Sequence, residues 1–150
     1  MLRSWSPDLL GTPQDYPIVA TTCRVTEHFL AGAVSRNLPW LVELVPNAFA
    51  EISKELARDR GIENGDSIVV RSARGEITLY ALVTGRLKPL RVAGKPVEQV
   101  AIVWHFGYQG LATGPSANVL TPRVGDAEAK IPEYKAFLCD VRKANGEPAA

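Results

Sequence analysis

"ENGDSIVVRSARGEITLYALVTGRLKPLRV", residues 63–92, sets the fold class. An Asn-Gly-Asp turn opens it, "SIVVRS" is rich in β-branched residues, "ARG" turns the chain, and "EITLYALVTG" continues as a second strand. Strand signals recur on both sides. "YPIVATTCRV" (16–25) precedes this hairpin, while "QVAIVWHFG" (99–107) and "AFLCDVRKA" (136–144) follow it. Several short strands with one or two helices predict a mainly β domain closed into a barrel, not a βαβ sheet.

Between the first strand and the hairpin the pattern changes. "FLAGAVSRNLPWLVELV" (29–45) reads as a short helix to about Arg36, interrupted at Pro39, with "WLVELVP" (40–46) a strand closed by Pro46. "NAFAEISKELARDRGI" (47–62) reads as one helix capped by Asn47, with Ile52, Leu56 and Ala57 on one face and Gly61 as its stop. "GYQGLATGPSANVLTPRVGDAEAKIPEYK" (107–135) is rich in glycine and proline and has little periodicity, as functional loops often do. The start, "MLRSWSPDLLGTPQ", lacks the apolar core of a signal peptide and reads as an extended arm. The predicted organisation is an arm over 1–15, a barrel over 16–143 and a flexible tail over 144–150.

The 150 residues make one domain of ordinary composition, 46% hydrophobic and 22% charged. A formal charge of +1 provides no general field for nucleic acid or an anionic membrane, so anion binding must come from a few placed groups. No apolar run approaches the ~20 residues that cross a bilayer. Cys23 and Cys139 are far apart, fit no metal-ligand spacing and read as isolated thiols.

Polar clusters mark three loops. "TTCRVTEHF" (21–29) places Arg24, Thr26, Glu27 and His28 where a strand gives way to a loop. Arginine binds phosphate or carboxylate through two parallel N–H groups, hydroxyls and loop amides donate to phosphate oxygens, and a glutamate accepts from a heterocycle. The set suits a nucleotide or pterin, but residue types alone favour an Arg–Glu pair and a capped turn on the surface, since charged clusters are mostly solvated. "WHFGYQG" (104–110) adds the polar tips of His105, Tyr108 and Gln109 beside two glycines, with Trp104 and Phe106 as core candidates. "SANVLTP" (116–122) contributes Asn118, whose amide matches a donor–acceptor edge or serves an Asx turn. "PEYK" (132–135) adds a phenol and an ammonium. There is no P-loop, no GxGxxG and no nucleophile elbow. A Cys23–His28 or Cys23–His105 dyad has nothing in the sequence to fix its geometry. Residue types alone stop at a β-rich domain with polar loops.

The ordered blocks together are more specific. "YPIVATTCRVTEHFLAGAVSRNLPWLVELVPNAFAEISKELARDRGIENGDSIVVRSARGEI", "VTGRLKPLRVAGKPVEQVAIVWHFGYQG", "ANVLTPRVGDA" and "PEYKAFLCDV" resemble the C-terminal domain of the formate dehydrogenase large (alpha) subunit, within the molybdopterin oxidoreductase superfamily. The resemblance runs over about 16–143. It implies a six-stranded double-psi β-barrel that binds bis(molybdopterin guanine dinucleotide) carrying molybdenum or tungsten, held jointly with the remainder of the large subunit. Carried over to matching positions, it implies cofactor contacts from Thr22, Arg24, Thr26, Glu27 and His28, from His105, Gly107 and Tyr108, and from Asn118, Thr121, Tyr134 and Lys135. The family's metal ligand, catalytic histidine and iron–sulfur cysteines belong to earlier domains, so no residue here is expected to bind metal or catalyse, and the chain alone is expected to be inactive. The implied partners are the remainder of the large subunit and an iron–sulfur electron-transfer subunit, with no nucleic acid and no membrane insertion. The implied compartment is the periplasm, with the cytoplasm as alternative. A competing expectation is a free-standing double-psi barrel acting as an interaction or chaperone-like module without cofactor.

Overall fold

A computed structural model describes residues 10–107, 109–126 and 128–146. The arm expected over 1–15 therefore lies largely outside the described residues; within it, Thr12 and Asp15 bond to each other in a turn.

Six strands close into a barrel: β1 (Ile18–Cys23), β2 (Phe49–Ser53), β3 (Ser67–Ser72), β4 (Gly75–Thr84), β7 (Gln99–Val103) and β8 (Phe137–Lys143), in the order β1-β7-β2-β4-β3-β8. A separate hairpin, β5 (Leu90–Val92) with β6 (Lys95–Val97), lies outside the barrel sheet. It turns at Ala93 and Gly94, both at positive φ. Alternate residues face inward, as a two-residue period requires. Ile18 and Ala20, Ala50 and Ile52, Ile68 and Val70, Ile77 and Leu79, Val100 and Ile102, and Cys139 and Val141 fill the interior. Three of the inward side chains, Ala20, Ala50 and Ala81, are small, which lets a narrow barrel close around the branched ones.

Strand direction decides where the connections emerge. β1 runs parallel to β7, with Val19 opposite Gln99 and Cys23 opposite Val103. β2 runs parallel to β4, while β1–β8, β2–β7, β3–β4 and β3–β8 are antiparallel. The ends of β1, β3 and β7 and the starts of β2, β4 and β8 therefore share one rim. Connections 24–48, 73–74 and 104–136 all rise from it.

Two helical expectations need correction. Residues 39–44 form a helix, α1 (Pro39–Leu44), where a strand was expected. Pro39 does not interrupt it; it occupies the first turn, where a missing N–H costs nothing and φ is already helical. The segment before it is a single 3₁₀ turn, Ser35–Asn37. The single helix expected over 47–62 is split. Phe49–Ser53 is β2, and only Lys54–Arg60 is helical (α2), with Ser53 rather than Asn47 as its cap. Ala50 and Ile52 serve the barrel with a strand period, a signal that two alanine-flanked positions are too few to separate from a helical face. Gly61 ends α2 at φ 61°, in the left-handed conformation expected of a glycine stop.

Ser53 is fully buried, and its hydroxyl works in two directions. It accepts from the Leu56 N–H at 2.9 Å, capping α2, and donates to Glu98 Oε2 at 2.7 Å. Both cysteines are free. Cys139 is in the core, while Cys23 ends β1, where burial and then the negative charge of Glu51 push its thiol up to about 11.

Replacing Ser53 with Ala should destabilise the fold by about 1–3 kcal/mol, since it removes a cap and leaves the half-buried Glu98 carboxylate short of a donor; urea unfolding checks this. The Cys23 thiol should react with iodoacetamide at pH 8 about a hundredfold more slowly than an ordinary thiol, because its thiolate fraction is smaller by two pKa units. Unfolding in denaturant should abolish that difference.

Candidate functional site

The end of β1, the 73–74 turn and the 104–136 connection enclose a cleft of about 410 Å³, lined by Thr22, Arg74, Trp104, Asn118, Thr121, Pro122, Arg123, Pro132 and Tyr134. Each wall has a local cause. Thr22 is the last inward residue of β1. Arg74 belongs to the tight β3–β4 turn, held by its N–H to Ser72 Oγ at 3.1 Å. Ser72 Oγ in turn donates to Leu120 O at 2.8 Å, tying that turn to the far loop. Asn118 sits in a 3₁₀ turn, Ala117–Val119, whose N-cap is Ser116. Thr121 Oγ1 donates back to Asn118 O at 3.4 Å. Across the cleft, Lys135 Nζ donates to Thr22 O at 2.7 Å and Oγ1 at 2.9 Å, fastening the segment before β8 to the end of β1.

Of the residues expected from the sequence, Thr22, Asn118, Thr121 and Tyr134 thus share one cleft, and Lys135 is bonded to its Thr22 wall. Arg24 is exposed and places its guanidinium 4.8 Å from the centre of the Trp104 ring, on the outside of the same wall. Thr26 is exposed and Glu27 half-buried on the loop beyond, and neither lines the cleft. Tyr108 lies outside the described residues.

The histidines are elsewhere. His28 is 2% exposed, with Nε2 donating to Val45 O at 2.9 Å and Nδ1 3.2 Å from Ser35 Oγ. Its edge meets the face of Phe106, the ring centres 5.4 Å apart. His105 is 1% exposed; Nε2 accepts from the Val25 N–H at 3.0 Å and Nδ1 donates to Leu30 O. Burial holds the His105 imidazole below its ordinary 6.5, and the neighbouring His28 and Arg24 act in the same direction. Gly107, at φ 98°, is where the loop after β7 crosses the Ser116 backbone. A Cβ there would fall 2.3 Å from Ser116 Cβ and 2.9 Å from Ser116 N, so only glycine fits.

Two cations in the cleft were not foreseen. Arg74 reads in sequence as an ordinary hairpin-turn residue, and only the rim topology turns it toward Asn118. Arg123 follows "ANVLTP" by one residue and had no signal beyond that proximity. The chemistry of the lining fits a phosphorylated heterocycle. Two guanidiniums match phosphate oxygens, the Asn118 amide and two threonine hydroxyls match a ring edge, and Trp104 and Tyr134 provide flat apolar surface. The Trp104 indole N–H is buried with no hydrogen-bond partner among the described residues, a donor the fold leaves available at this wall. Among the described residues no cluster of His, Cys, Asp or Glu is arranged to hold a metal ion, and no helix is long and apolar enough to cross a membrane.

Comparison with known proteins gives a consistent result. A family profile described as "Molydopterin dinucleotide binding domain" matches residues 18–138. The formate dehydrogenase subunit alpha of Megalodesulfovibrio gigas is 47% identical over 130 residues, covering 86% of this chain and 13% of that protein. The nitrate-inducible formate dehydrogenase major subunit of Escherichia coli is 46% identical over 147 residues, covering 96% of this chain and 14% of that protein. The chain thus spans about a seventh of the length of these relatives. Acetylene hydratase from Pelobacter acetylenicus has the same fold, with a TM-score of 0.69 at 16% identity over 88% of this chain and 19% of that one. On the extent of the profile match and the identity of these relatives, the chain belongs to the molybdopterin dinucleotide binding domain family.

Proposed function

We propose that this chain is the dinucleotide-binding portion of a formate dehydrogenase large subunit, and that the rim cleft receives a pterin guanine dinucleotide. The observation that carries this reading is the convergence of Arg74, Arg123, Asn118, Thr22 and Thr121 on one cleft from the end of β1, the β3–β4 turn and the connection before β8. A dinucleotide carries phosphates and a fused heterocycle. Binding it takes cations, an amide edge and flat apolar surface at fixed separations, which loops on a rigid barrel provide.

In this reading Arg74 and Arg123 meet phosphate oxygens, and Asn118 and Thr121 meet a ring edge. Trp104 and Tyr134 cover the flat faces. Thr22 and Lys135 close the side next to β1, and Arg24, Thr26 and Glu27 lie on the outer margin where the remainder of the subunit would meet the cofactor. His28, His105 and Gly107 hold the loops rather than touch the ligand. When bound, the cofactor supplies the molybdenum or tungsten at which formate is oxidised to carbon dioxide, with electrons leaving to iron–sulfur centres. The residues of this chain bind it, orient it and exclude water from its dinucleotide end. The metal ligand and the catalytic residues belong to the remainder of the large subunit, so the chain alone is inactive. An iron–sulfur subunit as further partner and the periplasm as compartment belong to the same proposal.

The direct test is to purify the chain together with the remainder of the large subunit and measure bound metal and guanine nucleotide. Charged hydrogen bonds contribute ~1.5–3 kcal/mol each, so Arg74→Ala or Arg123→Ala should each lower cofactor affinity by roughly 10- to 100-fold, while Arg142→Ala, an exposed β8 residue outside the cleft lining, should leave it unchanged. Full retention of the nucleotide in the Arg74→Ala/Arg123→Ala double variant would refute the assignment of the cleft. Saturating cofactor should also raise the melting temperature of the assembled chain over the chain alone, since occupancy at 100 times Kd stabilises by ~2.7 kcal/mol. Equal melting temperatures would favour a free-standing module.

A further inference from the structure

The loop 24–36 leaves β1 and travels some distance before α1 begins; Val25 packs against the core at its start, and at its far end the buried Arg36 donates from Nη1 to Ala112 O at 3.1 Å and accepts at its carbonyl from the Leu111 N–H at 2.9 Å. Between those anchors Phe29, Leu30 and Val34 are 68%, 56% and 67% exposed, so apolar burial does not hold the middle of the loop. Leu30 adopts φ 49°, a conformation that side-chain-bearing residues seldom enter unless their surroundings impose it. The two histidines of the chain, both buried, bond this middle stretch to its surroundings. His105, from the segment after β7, reaches the loop at two points, accepting from the Val25 N–H and donating to the carbonyl of the strained Leu30. His28, on the loop itself between those points, reaches outward to Val45 O and to Ser35 Oγ, which also accepts from the Phe29 N–H at 3.0 Å. The two rings lie 6.2 Å apart. Gly32 completes the closure, because a Cβ there would fall 2.2 Å from His105 O and 2.8 Å from Arg36 Nε.

We infer that His105 and His28 are positioning residues, a two-ring clamp that fixes the 24–36 loop and places Arg24 against Trp104, and that His105 is its acid-sensitive pin. The clamp stands on the ring contacts alone; only the purpose of placing Arg24 rests on the proposed cofactor site.

The hydrogen-bond directions fix the proton inventory. A carbonyl only accepts, so Leu30 O requires the proton on His105 Nδ1, and the Val25 N–H requires a bare lone pair on Nε2. His105 is therefore the neutral Nδ1–H tautomer. By the same rule Val45 O requires a proton on His28 Nε2, leaving Nδ1 to accept from the Ser35 hydroxyl. The two rings carry opposite tautomers. Protonating His105 puts a second N–H on Nε2, pointing at the Val25 N–H, so acid converts that contact from attraction to repulsion.

Burial opposes that protonation most; the bond to Leu30 O favours it but is outweighed, and the charged or titratable neighbours are His28 and Arg24 on the loop, which oppose it, and Arg36 across Gly32. None of these is an acid. The folded state therefore binds its proton less readily than the unfolded chain. The stability from this group is complete above the ordinary 6.5 and is lost as pH falls through the lower folded value.

The test is two-dimensional ¹H–¹⁵N NMR of the whole chain with ¹⁵N-labelled histidine and uniformly labelled backbone, titrated from about pH 8 to about pH 5. With two histidines the imidazole signals are assignable by comparison with His28→Gln. Expected at high pH are a protonated Nδ1 and a bare Nε2 for His105, and the reverse for His28. On acidification the Val25 amide resonance should move with the same midpoint as His105 charging, below the midpoint of a free histidine, while barrel amides such as Ile68 stay in place. His105→Gln, which retains an acceptor but does not charge, should keep the neutral-pH position of Val25 and lose its acid response. If that variant does not fold, the wild-type titration decides alone. An Nε2–H tautomer for His105, or charging of His105 that leaves the Val25 amide unmoved, would overturn the clamp. Because none of these signals involves cofactor, failure here leaves the dinucleotide proposal standing, and failure of that proposal leaves the clamp intact.

Discussion

Parallel pairing of β1 with β7 is the constraint from which the rest of the molecule follows. Antiparallel neighbours can be joined by a two-residue turn, but parallel neighbours need a crossover that carries the chain from one end of the barrel back to the other. Here the register sets Cys23 beside Val103, so the polypeptide leaves both strands at one rim. β8 begins at the same rim because it is antiparallel to β1, and the β3–β4 turn arrives there through the antiparallel β3–β8 pairing. Residues as distant in sequence as Thr22, Arg74, Asn118 and Tyr134 become neighbours without any of them having to find the others. The pairing is stabilised by burial of Val100 and Ile102 against Ala20 and Ala50, so the packing that closes the barrel is also what assembles the cleft.

Polar side chains at this rim separate into two groups with different physical duties. His28, Ser35, His105 and Ser72 are buried, and each spends its hydrogen-bonding capacity on backbone or on another buried side chain. They join one connection to the next, as Ser72 does with Leu120 and His28 with Val45. Asn118, Arg123, Arg74 and Tyr134 are exposed and leave their polar ends toward the cleft. A site of this kind recognises a ligand by the fixed spacing of the second group, and that spacing is only as good as the bonds made by the first. Buried polar bonds are costly to break one at a time, because the remaining partner is left unsatisfied.

The barrel strands were legible wherever the alternation was long. β3, β4 and β8 each present several alternating inward positions, and a two-residue period over that length resembles nothing else. β2 was hidden because Ala50 and Ile52 are its only apolar inward residues before Ser53 starts a helix, and alanine suits either period. α1 was hidden by a proline read as a breaker when it was a starter, a distinction that depends on whether Leu38 before it is extended. At the cleft, Thr22, Asn118, Thr121 and Tyr134, which the resemblance implied as contacts, come together. His28 and His105 were implied by the same resemblance; the structure buries both rings and bonds each to a backbone carbonyl, which spacing does not show. Arg74 was invisible for the opposite reason, since a hairpin-turn arginine is ordinary until the barrel closes around it.

Relatives that match this chain include formate dehydrogenase alpha or major subunits, of which it spans a small share, and acetylene hydratase shares the barrel at low identity. The measurement that bears most directly on the account is an experimental structure of this chain assembled with the remainder of the subunit and loaded with cofactor. The account predicts dinucleotide density between Arg74 and Arg123, with Asn118 against the ring edge. Cofactor density reaching only the opposite rim, beyond the ends of β2 and β4, would contradict it.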